Sequence, residues 1–190
     1  MIKIVCIMGK SGTGKSTVVK ELCKDERFHY VKSFTTRQPR PNDPNDIDTH
    51  IFVDDKHYYE NRGTVLATYV APSGYKSYTT LESFDENKTN IYVIDPEAFI
   101  HLCQGNYDTD EFKFDIFGIY LYLEDRIRLN RFQQRGDGTK FSLEDHLDVS
   151  ILEDYYKRYH ELPGIVYNIE DSTVEEIVET IKNHIIPKED

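Results

Sequence analysis

Apolar residues along this chain fall in short blocks that switch between two spacings. Residues 2–8 (IKIVCIM) are an unbroken β-branched run of strand length, the pattern of a central strand buried on both faces. Glycines at 9–14 interrupt it, and over 15–23 Val18, Val19 and Leu22 take up the spacing of a helix with one apolar side. Residues 31–34 read as a second strand, followed by RQPRPNDPNDID, whose prolines, asparagines and aspartates require a loop. Between 51 and 80 three β-leaning pieces (51–53, 64–70 and 75–79) are separated by turn residues, which predicts a small antiparallel excursion. Residues 90–95 and 116–123 are further buried strands, the first leading into a helix opened by Pro96 and the second into a charged helix over 124–135. Ser142 with Asp145 reads as the cap of a long helix that stops at Pro163 and Gly164. Residues 165–169 are the last strand, and Ser172 with Glu175 caps a terminal helix carrying Val174, Ile177, Val178 and Ile181. Strands alternating with helices predict an α/β fold, a five-stranded parallel sheet covered on both faces, with the first strand central.

Composition narrows the partners. A chain of 190 residues with 38% hydrophobic content suits one packed domain. A net charge of −11 argues against a protein that grips nucleic acid, although local arginines can still bind phosphate. No apolar run approaches the roughly 20 residues that span a bilayer, so no membrane partner and a cytoplasmic location are expected. Cys6, Cys23 and Cys103 form no CxxC pair and read as inert thiols rather than as disulfides or zinc ligands.

The strongest chemical signal is GKSGTGKST at 9–17, which satisfies GxxxxGK[ST] between a predicted strand and a predicted helix. Its glycines let the backbone N–H groups of Gly9, Lys10, Ser11, Gly12, Thr13 and Gly14 converge on a phosphate at a helix N-terminus. Lys15 would bridge the β- and γ-phosphates of ATP, Ser16 would offer its hydroxyl to Mg2+, and Thr17 completes the ATP-binding set. Downstream, Arg37 and Arg40 lie three apart in the loop, where planar guanidinium groups suit a second phosphate. Arg131 and Arg135 lie four apart and so share one helix face. Arg126 and Arg128 belong to the same basic helix and are assigned no part in the chemistry.

Ser33, Thr35, Thr36, Arg37, Arg40 and Pro41, in SFTTRQPRP, give the chain a resemblance to the guanylate kinases. It continues through DTHIFVDD, SYTT, VIDPEA, RFQQRGDGT and the strand ending at Asn168. The resemblance implies an ATP- and Mg2+-dependent kinase acting on a nucleoside monophosphate, as a monomer or homodimer. It assigns Lys15, Arg131 and Arg135 to catalysis and adds Asn168 to the ATP site. It places Ser33, Arg37, Arg40, His50 (where the family has tyrosine), Tyr78, Thr80 and Asp95 at the acceptor. Asp95 either orients a metal-bound water or an arginine, or caps the helix that Pro96 opens. By the same resemblance, residues 1–31, 85–123 and 146–190 form the core, 32–84 the acceptor-binding region and 124–145 a lid.

The sequence departs from the family where the base is read. Ala67 or Thr68 stands at the position of the guanine-reading glutamate, Val93 at that of the first acid of an Asp-x-Asp, and His146 at that of a third arginine. Losing a hydrogen-bonding carboxylate relaxes base choice. Two alternatives remain beside the nucleotide kinase. One is a ribose 1,5-bisphosphate phosphokinase, which Asp48-Thr49-His50-Ile51 resembles. The other is a catalytically inactive binding module, which the intact phosphate loop disfavours.

Overall fold

The ladder begins with β1, Ile2–Met8, whose alternate side chains enter two separate apolar layers. Ile2, Ile4, Cys6 and Met8 join one cluster, while Val5 and Ile7 join the other. A strand buried on both faces needs covering helices on both sides, and the computed structural model shows them. It describes residues 1–39, 46–71, 73–105, 113–134 and 164–186. Around β1 lie β2 (Phe28–Val31), β7 (Thr89–Val93), β8 (Phe114–Tyr122) and β9 (Gly164–Asn168), in the order β2-β7-β1-β8-β9 and parallel at every pairing. The central position expected for the first strand is therefore found.

Helix α4 (Pro96–Gln104) covers one face with Ala98, Phe99 and Leu102. The other face is covered by Val18, Val19 and Leu22 of α1 (Lys15–Leu22) and by Ile177, Val178 and Ile181 of α6 (Val174–Ile185). Each such aliphatic side chain contributes about 1.5–3 kcal/mol before chain entropy is counted. The cap of α6 falls one residue later than the sequence suggests. Thr173 accepts from Glu176 N–H and Glu176 reaches back to Thr173 N–H at 2.8 Å, while the Ser172 hydroxyl lies 3.2 Å from Tyr167 Oη.

A second sheet holds β3 (Ser33–Thr35), β4 (His50–Phe52), β5 (Val65–Val70) and β6 (Lys76–Thr80), in the order β4-β3-β6-β5. Three expectations change here. The run at 31–34 is cut at Lys32, because Val31 pairs with β7 while Ser33 turns into the small sheet. That sheet is mixed rather than antiparallel: β3 and β4 run parallel because the connection between them crosses over through α2 (Asp46–Thr49). Between β4 and β5 stands a helix, α3 (Asp55–Glu60), started by the Asp54 carboxylate, which accepts from His57 N–H at 2.9 Å. Its apolar stripe is too weak to have announced it. Helix α5 (Asp125–Gln134) follows β8 as expected. The helix expected from Ser142, with His146, lies outside the described residues. Among the described residues no helix is long and apolar enough to cross a membrane.

At Gly118 on β8 an added Cβ would sit 2.5 Å from Phe99 Cζ and 2.9 Å from Met8 Cε, both within the packed layer under α4. Gly118→Ala is therefore expected to lower stability by about 1–3 kcal/mol through overpacking, read as a drop in the urea midpoint at unchanged slope.

Candidate active site

Where β1 ends, the chain must turn sharply without a side chain. Gly9 has φ +144°, and a Cβ there would lie 2.6 Å from the Leu121 carbonyl oxygen. Gly12 and Gly14 also have positive φ, at 85° and 95°. The three glycines wrap the loop around the N-terminus of α1, leaving its first amides free of side-chain caps. Lys15 folds over the loop, with Nζ donating to the Gly9 carbonyl at 2.7 Å and to the Lys10 carbonyl at 3.1 Å. Thr13 closes the turn through its hydroxyl, which donates to Lys10 O at 3.0 Å. Ser16 and Thr17 are exposed on the first turn of α1.

Helix α5 grips this loop from outside. Arg131 Nη1 donates to the carbonyls of Gly12 and Thr13, both at 3.2 Å. Arg128 is 1% exposed; its Nε donates to Ser11 O at 2.8 Å and it forms an ion pair with Asp125. Asp125 also accepts from Lys10 Nζ at 3.3 Å. A cavity of about 350 Å³ opens beside the loop, lined by Thr13, Gly14, Thr17, Arg131, Ile169 and Ser172 among others. Asn168 stands at the turn beside it, its side-chain oxygen accepting Glu170 N–H at 3.0 Å. That bond shapes the turn. Arg135 lies outside the described residues.

The small sheet sorts the expected acceptor residues by face. Register places Phe34, Tyr78 and Thr68 side by side, and the pleat turns their neighbours Ser33, Thr35, Ser77 and Ala67 the other way. On this second, inner face Ser33 Oγ and His50 Nδ1 lie 3.0 Å apart, and the Arg37 guanidinium sits 5.2 Å from the Phe52 ring centroid. Thr79, also on this face, donates to Tyr92 Oη of β7 at 3.2 Å, so the inner face looks onto the main sheet. Ser33, His50 and Arg37 are brought together there. Tyr78 is not. It is buried on the outer face under α3, stacked on Phe34, with its hydroxyl 2.6 Å from His57 Nδ1. Thr80 is engaged locally, accepting from Ser83 N–H at the start of a 3-10 turn. Arg40 falls outside the described residues. Ala67 is packed in the core, and the Thr68 hydroxyl is buried without a hydrogen-bond partner among the described residues, so neither position offers an acid.

Two partners escaped the sequence. Asp46, 2% exposed, forms a two-pronged ion pair with Arg37, its Oδ2 accepting from Nη1 at 2.6 Å. The two lie nine positions apart in the sequence, and no local pattern announces such a pair. Arg128 did carry a signal, its i,i+3 spacing from Asp125, but an exposed helix surface has the same pattern.

Asp95 closes the strand next to β1 and caps α4, accepting from Glu97 N–H at 2.9 Å. Burial raises its carboxyl above the usual range, opposed by the Glu97 and Ala98 amides and by the positive charge of Lys15. The capping alternative is therefore realised, and the acid also stands within electrostatic reach of the loop lysine. Burial pushes the thiol of Cys23 up to about 11, that of Cys103 up to about 12 and that of Cys6 well upward, which favours the protonated form.

A glycine loop of this form, at the end of a central parallel strand and backed by a lysine and two arginines, defines a P-loop phosphate-binding protein. The comparisons carry this further. The chain is 30% identical over 186 residues to the guanylate kinase of Latilactobacillus sakei, covering 88% of this chain and 86% of that protein. It is 25% identical over 195 residues to the guanylate kinase of Clostridium tetani, covering 96% and 84%. The chain belongs to the guanylate kinase family. The crystal structure of guanylate kinase from Anaplasma phagocytophilum shares its fold, with a TM-score of 0.60 at 16% identity over 97% of this chain and 86% of that one. No family model matches the chain.

The raised carboxyl of Asp95 has a definite sign. Its contribution to stability is present in full below the unfolded-chain value and is lost as pH rises through the higher folded value. Asparagine keeps the cap without the buried charge. Asp95→Asn is therefore expected to be at least as stable as wild type at pH 7, with its advantage shrinking as pH falls through the folded carboxyl's range. Urea midpoints across pH 4–8 measure it, and an advantage that grew on acidification would contradict the assignment.

Proposed function

We propose that this chain is an ATP-dependent nucleoside monophosphate kinase of the guanylate kinase type, taking (d)GMP or a related (d)NMP to its diphosphate. The observation that carries this reading is a juxtaposition. Lys15 reaches back over the loop that leaves β1 and stands within electrostatic reach of Asp95 at the end of neighbouring β7, and Ser33, His50 and Arg37 gather on the face of the small sheet from which Thr79 contacts β7.

The chemistry needs two polyanions brought together in line. An acceptor phosphate oxygen forms the new bond to the terminal phosphorus of ATP as the bond to the bridging oxygen breaks, and ADP departs with the electron pair. Loop amides and Lys15 hold the β- and γ-phosphates, the Ser16 hydroxyl would hold Mg2+, and Mg2+, when bound, screens the phosphates' charge. Arg37, with Arg40, anchors the acceptor phosphate. Arg131, with Arg135, neutralises charge on the transferring group once the lid over residues 124–145 closes. Ser33 reads the base edge; Thr80, expected beside it, is held in its local turn. The ribose 1,5-bisphosphate reading is favoured by one feature, the lack of any acid at Ala67 or Thr68.

ADP release with ATP·Mg2+ against a panel of NMPs, dNMPs and ribose 1,5-bisphosphate tests the reading. GMP and dGMP are expected to be the best acceptors, with discrimination against other purine monophosphates weakened about tenfold to a hundredfold by the missing carboxylate. Rejection of AMP by more than about ten-thousandfold would mean that another group reads the base. Turnover of ribose 1,5-bisphosphate alone would overturn the nucleotide assignment.

Lys15→Ala is expected to lower kcat by about a hundredfold or more with the fold intact, because it removes charge at the transferring phosphoryl rather than core packing. Arg37 is tested by Arg37→Lys, since an alanine would strand the buried Asp46 carboxylate. Losing the fork while keeping the charge is expected to raise the acceptor KM about tenfold and leave that for ATP within about twofold. Steady-state kinetics that showed equal changes for both substrates would place Arg37 elsewhere.

A further inference from the structure

Two arginines one turn apart on α5 take three successive carbonyls of the phosphate loop. Arg128 Nε takes Ser11 O at 2.8 Å, and Arg131 Nη1 takes Gly12 O and Thr13 O at 3.2 Å each. Lys10, one residue earlier, is tied to the same helix through Asp125. In a planar trans peptide the C=O and the next N–H point in opposite directions. Holding Ser11 O outward therefore aims the Gly12 N–H into the loop, and holding Thr13 O does the same for Gly14. These inward amides are the donors that a polyphosphate needs.

The two arginines differ in freedom. Arg131 is partly exposed and borders the cavity, so it can move. Arg128 is 1% exposed, and a buried guanidinium leaves its partners only at heavy cost. Asp125 is well placed to keep it there, since it neutralises both Arg128 and Lys10.

We propose that Arg128 is a positioning residue for the phosphoryl donor: through Ser11 O, and braced by Asp125, it fixes the inward aim of the loop amides independently of Arg131. It touches no reacting atom. Its loss therefore weakens the grip on the ATP phosphates and leaves the acceptor site unchanged. The inference rests on the P-loop kinase reading above.

The test compares wild type with Arg128→Met, Arg128→Lys and Asp125→Asn. It uses calorimetric affinities for ATP·Mg2+ and for inorganic tripolyphosphate, KM for both substrates, kcat and urea midpoints. Arg128→Met is expected to weaken both ligands by the same factor, about tenfold or more, and to raise the ATP KM alike, with the acceptor KM within about twofold. Arg128→Lys should recover part of the loss, because lysine restores the charge but cannot bridge Ser11 O and Asp125 together. Asp125→Asn, at a partly exposed position, should weaken both ligands severalfold and carries the test if Arg128→Met does not fold. Folded variants whose affinities for both ligands stay within about twofold of wild type would overturn the proposal, as would equal changes in the two KM values. A wild-type protein that binds neither ATP nor tripolyphosphate would overturn it together with the kinase reading, an outcome separable from the first because it appears before any substitution.

Discussion

The close approach of Gly9 to the Leu121 carbonyl governs the architecture of the site. A Cβ at that point would lie 2.6 Å from a backbone oxygen of the neighbouring strand, so the turn out of β1 can be made only by glycine at positive φ. Given that turn, the loop wraps the start of α1, Lys15 reaches back over its carbonyls, and the helix amides face outward as an anion site. β1 can end in this way because it is central. Its partners β7 and β8 satisfy its backbone along both edges, and two apolar layers fix its register. The phosphate loop then lies at the carboxyl ends of the strands, where Asp95 closes the strand beside it.

Charge in this acidic chain is organised locally. Cations in and around the loop and the small sheet are accompanied by carboxylates: Asp125 by Lys10 and Arg128, Asp46 by Arg37, and Asp95 within reach of Lys15. Such pairing is the condition for holding cations in partly buried positions, since an unpaired buried charge costs several kcal/mol. It also fixes side chains that would otherwise lose rotamer freedom when a ligand arrives.

Much of this was legible from the chain alone, for reasons that can be named. The run IKIVCIM followed by GKSGTGKST states strand, loop and helix in one stretch, because each element has its own spacing and the loop has steric demands that few other residues meet. The small sheet was less legible. A cut at Lys32, a parallel pairing of β3 with β4 and the outward turn of Tyr78 all follow from register, which depends on contacts between distant residues. Arg37 could be read as a phosphate ligand from its type and place, but its partner Asp46 could not. The burial of Arg128 was not legible either, because spacing on a helix does not reveal which side the neighbouring loop covers.

The hydrogen bond from Thr79 to Tyr92 has a mechanical meaning. It joins the small sheet to the main one on the side of β5 and β6, where Leu66, Ala67 and Tyr69 are also packed into the core. The opposite edge, β4, carries His50 and lies beside Arg37. Helix α2, which leads into it, is linked to α1 through an exposed ion pair between Lys20 and Asp48 at 2.8 Å, a contact that water and salt screen. The small sheet is thus joined to the core by packed apolar side chains at one edge and by polar side-chain contacts at the other, Lys20 with Asp48 and Tyr30 with Thr49. Salt screens the exposed ionic contact at one edge and leaves the apolar packing at the other untouched.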